Sequence, residues 1–216
     1  MMKPLPNSKK KILVIGDNGA GVTHQLGELT PFLYHWFSKV GEVTVREDYG
    51  LLTKQELDEF WLCVNYMERW DKAGSDRLAA AIISYVARGG RILTLHNGMI
   101  TFSHYELEQL WGGRYIKHHA PYTCLRYKVT DDKGKDRYYT VTEEPYLIEL
   151  NTLTPRETFL TFEYGDVDVA AGWWRGFGRG QVVVLTLGHH RRTFKSKLMN
   201  QVMVQSLKRL EVENGE

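Results

Sequence analysis

The strongest constraint on this chain is an alternation. Short, continuous apolar runs recur between segments whose apolar residues fall at helical spacing. Lys11–Ile15 leads into Ile-Leu-Val-Ile, Trp61–Val64 reads Trp-Leu-Cys-Val, and Arg91–Leu95 reads Arg-Ile-Leu-Thr-Leu. Runs of this kind are strands buried on both faces, the signature of a parallel sheet. Between them, Phe32, Leu33, Trp36, Phe37 and Val40 line one helical face, and Leu78, Ala79, Ile82, Ile83 and Val86 line another. Thr30 and Pro31 read as the cap and first turn of the first helix, Gly41 as its stop. Ser75 reads as the cap of the next helix and Gly89-Gly90 as its end. With Val43–Arg46 as a further strand, the first 110 residues form successive strand–helix–strand units, hence a doubly wound, mostly parallel α/β sheet.

After Gly112-Gly113 the rhythm changes. Residues 115–172 carry β-type stretches, Tyr122–Thr130, Tyr138–Val141 and Phe159–Tyr164, separated by turn clusters such as Asp131-Asp132-Lys133-Gly134. No linker borders them, so an antiparallel excursion within a single domain, residues 1–216, is expected, with residues 1–10 a flexible N-terminus. The pattern then resumes with the strand Gln181–Leu187 and a helix carrying Leu198, Met199, Val202, Met203, Leu207 and Leu210.

Composition narrows the class. Aromatic residues make up 12% and the net charge is only +2, which excludes a disordered chain and a general nucleic-acid binder. No apolar run approaches the roughly 18 residues of a membrane span. Two cysteines, Cys63 and Cys124, make no disulfide framework. A cytoplasmic protein with no membrane partner is expected; a homo-oligomer is compatible with the sequence. The charge is unevenly spread: residues 169–210 hold eight basic side chains and no acidic one, and four of these, Arg191, Arg192, Lys195 and Lys197, directly follow His189. Such a section is either a solvated positive face or a device that draws an anionic substrate towards the site.

Chemistry collects where strands end. Ligands of parallel α/β sheets bind at the carboxyl edge of the strands. The strand at Arg91–Leu95 runs into His96, and the strand at Gln181–Leu187 runs into Gly188-His189-His190. Two such edges can converge. The first connection, Gly16 to Thr30, is roughly 14 residues where about 2–6 are usual, and it carries His24. Its glycines are spaced G-x-x-G-x-G, which is not the dinucleotide fingerprint. His118 and His119 follow a Gly-Gly-Arg-Tyr-Ile-Lys run. Imidazoles suit both proton transfer near neutral pH and metal ligation. His24, His96, His118 and His189 are therefore candidate ligands for a divalent metal, although no compact metal motif is present and no cofactor is firmly implied. Glu143-Glu144-Pro145-Tyr146 either supplies a carboxylate to the same site or is a charged turn between strands. Gly176–Gly180 precedes a strand, so it reads as a tight turn and not as a phosphate loop. That turn brings back Trp173 and Trp174, which are either core or a platform for a sugar ring.

Taken in order, Lys11–Gly16 with His24, Tyr85–Gly90, Arg91–His96, Gly112–His118, Glu143–Tyr146 and Gly178–His189 resemble the trehalose-utilization (ThuA-like) family. The resemblance spans about residues 11–210 and implies a flavodoxin-like fold of the class I glutamine amidotransferase type. It further implies a role in sugar catabolism, with a disaccharide or an oxidised (3-keto) glycoside as the small-molecule substrate. It implies a site of His24, His96, His118, Glu144 and His189. The stretch Asp131–Arg137 and the glutamate at position 143 depart from the common family pattern. Neither cysteine lies near the His96 corner, so a cysteine-dependent glutaminase is not expected. The expected catalytic set is His96, His189 and Glu144, with His24, His118, Trp174 and Arg191 binding substrate. The competing expectation is a non-catalytic sugar- or metabolite-binding protein that keeps the pocket.

Overall fold

The computed structural model describes residues 9–47, 52–68, 75–101, 104–120 and 122–211. In chain order these form β1 (Lys10–Gly16), α1 (Leu26–Phe37), β2 (Gly41–Arg46), α2 (Lys54–Leu57), β3 (Leu62–Tyr66), α3 (Ser75–Ala87) and β4 (Arg91–Leu95). There follow α4 (Tyr105–Trp111), β5 (Gly113–His118), β6 (Thr123–Thr130), β7 (Asp136–Glu143), β8 (Tyr146–Leu150) and β9 (Glu157–Tyr164). The chain closes with β10 (Val167–Phe177), β11 (Gly180–Leu185), α5 (Arg191–Phe194) and α6 (Lys197–Glu211).

Among the described residues nine strands make one sheet in the order β2-β1-β3-β4-β11-β10-β9-β6-β7, and β5 pairs with β8 separately. The first five are parallel to one another, as the buried apolar runs require. Side-chain alternation then divides the core. Ile12 and Val14 pack with α1, α5 and α6 on one face; Leu13 and Ile15 pack with α3 and α4 on the other. The α/β doubly wound, flavodoxin-like architecture is thus as the sequence implies. The antiparallel excursion occupies Gly113–Phe177, slightly wider at both ends than the 115–172 expected, because β5 and β10 were not legible as strands.

Strand direction explains what the excursion does. β10 is antiparallel to β11, β9 to β10, β6 to β9 and β7 to β6. Four reversals leave β7 running the same way as β11. Its last residue, Glu143, therefore arrives at the same carboxyl edge as the ends of β1, β3, β4 and β11.

Two local expectations are corrected. The first helix does not start at Thr30-Pro31 but at Leu26, so the connection from β1 is residues 17–25 and Pro31 lies inside the helix. The N-terminal amides are met from the preceding loop: Leu26 N–H donates to the Asp17 carbonyl (2.8 Å) and Gly27 N–H to Asn18 Oδ1 (2.8 Å). An interior proline costs about 3 kcal/mol. Burial of Leu26, Leu29, Leu33, Trp36 and Phe37 offsets it, at roughly 1.5–3 kcal/mol for each large apolar side chain. At the N-terminus, residues 1–8 lie outside the described residues, while Lys10 already belongs to β1 and pairs with Gly41. Among the described residues no helix is long and apolar enough to cross a membrane.

The two thiols differ in environment. Cys63 is fully buried in β3, and burial raises its pKa to about 12, whereas Cys124 on β6 is exposed. Thiolate, not thiol, is the reactive form. A disulfide reagent at pH 8 is expected to titrate one equivalent in the native protein and two in denaturant. A second fast equivalent without denaturant would contradict the packing of β3.

Candidate metal centre

The carboxyl edge gathers four side chains from four parts of the chain. His24 comes from the β1–α1 loop, His96 from the residue after β4, Glu144 from the β7–β8 turn and His189 from the loop after β11. Their ligand atoms all lie within 4.8 Å of one another. His189 Nδ1 is 2.9 Å from His24 Nε2, 3.2 Å from His96 Nε2 and 3.1 Å from Glu144 Oε2. His96 Nε2 is 3.2 Å from Glu144 Oε2.

Outer partners fix how the rings present themselves. His96 Nδ1 lies 2.7 Å from the Thr186 carbonyl, which can only accept, so Nδ1 carries the proton and Nε2 turns its lone pair inward. His24 Nδ1 lies 2.9 Å from Glu68 Oε2, which likewise leaves the inward Nε2 as a lone pair. Glu68 also accepts the backbone N–H groups of Thr23 (3.0 Å) and His24 (2.7 Å), while its own N–H donates to Asp17 Oδ2 (2.8 Å). One proton on His189 Nδ1 can serve a single neighbour among three. A divalent cation serves all four inward atoms together. Ligands about 2.0–2.1 Å from a zinc-type ion in a tetrahedral array lie roughly 3.3 Å apart, close to the four separations of 2.9–3.2 Å given above. Imidazoles whose second nitrogen donates to a carboxylate or a backbone carbonyl are the usual arrangement around such an ion. Three histidines and one carboxylate make a donor set for zinc or a similar divalent metal.

Electrostatics agree with a cation at this point. Burial, reinforced by His96 and His189 and opposed by Glu68, lowers the His24 pKa to about 4, so its imidazole is neutral at pH 7. Burial works against charge on Glu144, but the neighbouring His189 and His96 rings outweigh it and hold the carboxyl well below the usual carboxylate range. Asp17, Glu68, Glu143 and Glu144 all lie at this edge, a concentration of negative charge that a dication offsets.

The local backbone is shaped for the purpose. His96 has φ +40°, a left-handed conformation at the head of a single 3-10 turn, His96–Met99. A non-glycine residue held there costs about 1–2 kcal/mol, and such strain collects at functional sites. It turns the ring back across the strand end, where Tyr146 stacks on it at 4.2 Å and 26°. Gly98, two residues on, permits the turn: a Cβ there would meet the Asn65 carbonyl oxygen at 2.6 Å.

The remaining expected residues are placed as follows. His118, about half exposed, sits beside the cluster with Nδ1 3.0 Å from Glu144 Oε1. Arg191 opens α5, two residues past His189, with an exposed side chain. Trp174 is not brought to the histidines. The β10–β11 register sets it opposite Val183, on the face covered by α6, where it lines a 270 Å³ cleft with Asp132, Glu157 and Arg209. Trp173, on the opposite face, is fully buried and donates to the Trp111 carbonyl (2.8 Å). Glu68 and Asp17 are not singled out in the sequence as site residues, and of the Glu143-Glu144 pair only Glu144 is assigned to the site. The signal available for the first two was position: each directly follows or nearly follows a buried strand, as His96 does.

The fold and the matching sequence define the class. A doubly wound sheet with an antiparallel extension is consistent with the class I glutamine amidotransferase-like fold. The chain belongs to the ThuA family, described as trehalose utilisation, whose model matches residues 11–208. Among solved structures it is similar to a ThuA-like protein from Bacteroides uniformis, with TM-score 0.73 and 14% identity over 97% of this chain and 94% of that one. It is similar to a second ThuA-like protein, from Parabacteroides merdae, with TM-score 0.72 and 12% identity over 97% of this chain and 92% of that one. A β-galactosidase from Bacillus circulans sp. alkalophilus shares the fold over 95% of this chain but only 32% of its own, with TM-score 0.64 and 15% identity. No curated protein matches the chain.

Glu68 ties the β1–α1 loop to the His24 ring, so its removal has a local signature. Glu68→Ala is expected to speed amide exchange at Thr23 and His24 and leave the amides of β4 and β11 unchanged. Equal protection of Thr23 and His24 in both proteins would show that the loop is held by other contacts.

Proposed function

We propose that the chain is a divalent-metal-dependent enzyme of carbohydrate catabolism, located in the cytoplasm, that acts on a disaccharide or an oxidised (3-keto) glycoside. The observation that carries the reading is the convergence of His24 Nε2, His96 Nε2, His189 Nδ1 and Glu144 Oε2 on one point. The family description supplies the carbohydrate context. A cation held by these four atoms would, on expanding its coordination to five, polarise a substrate carbonyl and acidify the C–H next to it.

We assign the movement of that proton to His118. Its Nδ1 lies 3.0 Å from Glu144 Oε1 and 3.1 Å from the His119 carbonyl, both acceptors, so Nδ1 carries the hydrogen. Nε2 is then the basic nitrogen of a half-exposed ring. Beside the cluster, His190 packs edge-on against His189 at 4.3 Å, and Tyr122 stacks on His190 at 4.7 Å and 18°. Arg192 lies 5.1 Å from the Tyr122 ring centre. Tyr122 and the Arg192 guanidinium supply an aromatic ring and a hydrogen-bond donor of the kind that contact sugars. A binding-only protein does not require three imidazoles in mutual contact, so the enzymatic reading is preferred.

The test is metal analysis of the purified protein, titration of the chelator-treated protein with Zn²⁺, Mn²⁺ and Co²⁺, and turnover on a panel of 3-keto-glycosides. One ion per chain is expected. His96→Ala and His189→Ala are each expected to weaken its binding at least about 100-fold, in line with loss of a direct ligand. His118→Ala is expected to keep the ion and lose turnover by about 10²–10⁴, the usual worth of a general base. Full turnover by metal-free protein, or by a folded His96→Ala protein, would overturn the proposal.

A further inference from the structure

The ligand atoms of Glu144 and His189 are in contact, yet the strands that bring them are far apart in the sheet. β7 and β11 are separated by β6, β9 and β10, so no ladder hydrogen bond sets the distance between their ends. A third carboxylate spans this gap. Glu143 is fully buried, and its oxygens face three backbone amides. Oε1 accepts the N–H of Glu144 (2.9 Å) and the N–H of His189 (3.1 Å), and Oε2 accepts the N–H of Gly188 (3.2 Å). The Gly188 carbonyl in turn accepts the Tyr66 hydroxyl (3.0 Å), so both backbone polar groups of Gly188 are engaged. Gly188 has φ +128°, a conformation that favours glycine, and it turns the chain into His189.

We infer that Glu143 is a positioning residue for the metal centre: it ties the backbones of two ligands, Glu144 and His189, at a junction between the excursion and the parallel sheet that strand pairing leaves unset. The inference rests on the metal reading above and assigns a role to a side chain whose hydrogen bonds among the described residues go to backbone amides and not to the ligand atoms. A buried carboxylate is costly unless its charge is met. Here backbone dipoles meet it, and shortening or neutralising the side chain leaves amides without an acceptor. The consequence falls on ligand spacing, because each of the three amides lies in a ligand residue or in the residue immediately before one.

The experiment compares wild type, Glu143→Gln and Glu143→Asp as full chains. Folding is followed by circular dichroism and cooperative unfolding in chelator, Zn²⁺ affinity by chelator competition, and site geometry by the visible absorption of the Co²⁺-loaded protein. Glu143→Gln keeps the size but replaces one acceptor oxygen by an amide that cannot accept. It is expected to fold, to bind Zn²⁺ about 10–100-fold more weakly, and to shift the Co²⁺ spectrum. Glu143→Asp keeps both acceptors on a shorter arm and is expected to recover part of the affinity. A folded Glu143→Gln or Glu143→Asp protein with wild-type Zn²⁺ affinity and a wild-type Co²⁺ spectrum would overturn the inference. Wild-type protein that takes up no ion would overturn the metal reading itself, and this inference with it.

Discussion

Lone pairs repel unless something positive lies between them, and that constraint organises this molecule. His24, His96 and His189 turn nitrogens inward beside a carboxylate oxygen at hydrogen-bond separations, while Glu68 and the Thr186 carbonyl hold two of those rings from behind. The outer shell is what makes the inner one specific. Without it, each imidazole could rotate or exchange tautomers and give its neighbour a proton. With it, two of the three rings can only accept, and a single proton cannot satisfy the set. The low pKa of His24 follows from burial among imidazoles, and it keeps that ring in the form a metal ligand needs.

The sheet is built to deliver these groups. Five parallel strands, packed on both faces, bring the residues after β1, β3, β4 and β11 to one edge. The antiparallel excursion reverses direction four times and returns Glu143 and Glu144 to that same edge. The two halves of the sheet therefore meet through the β10–β11 ladder in the middle and, at the rim, through the carboxylate of Glu143 and the contacts of Glu144 and Tyr146 with His96. The strained backbone of His96 fits this picture. A left-handed residue at a strand end is tolerated where stacking by Tyr146 and a hydrogen bond to Thr186 hold the ring in place.

Much of this was legible before any coordinates. Apolar runs at Ile12–Ile15, Leu62–Val64 and Ile92–Leu95 are strands, and the strand-ending rule points to His96 and His189. Other features were not. α1 starts four residues before Thr30 because its first amides are met by Asp17 and Asn18 and because Leu26 and Leu29 find the core; both causes are tertiary. β10 was missed because Val-Asp-Val-Ala-Ala-Gly-Trp-Trp carries no clean alternation, and its pairing with β9 is itself irregular. Trp174 looked like a sugar platform, but strand register sends it to the face under α6, away from the histidines.

The sequence by itself determined the fold class and named the imidazoles, because burial pattern and strand ends are local properties of the chain. Only the tertiary structure decided that His24, Glu144 and His189 share a point with His96, that Glu68 and Glu143 stand behind them, and that Trp174 does not. Those facts depend on how many strands intervene and which way each one runs. Residues 24, 96, 144 and 189 are joined by no local periodicity, and only the continuous hydrogen-bonded sheet brings them to one edge.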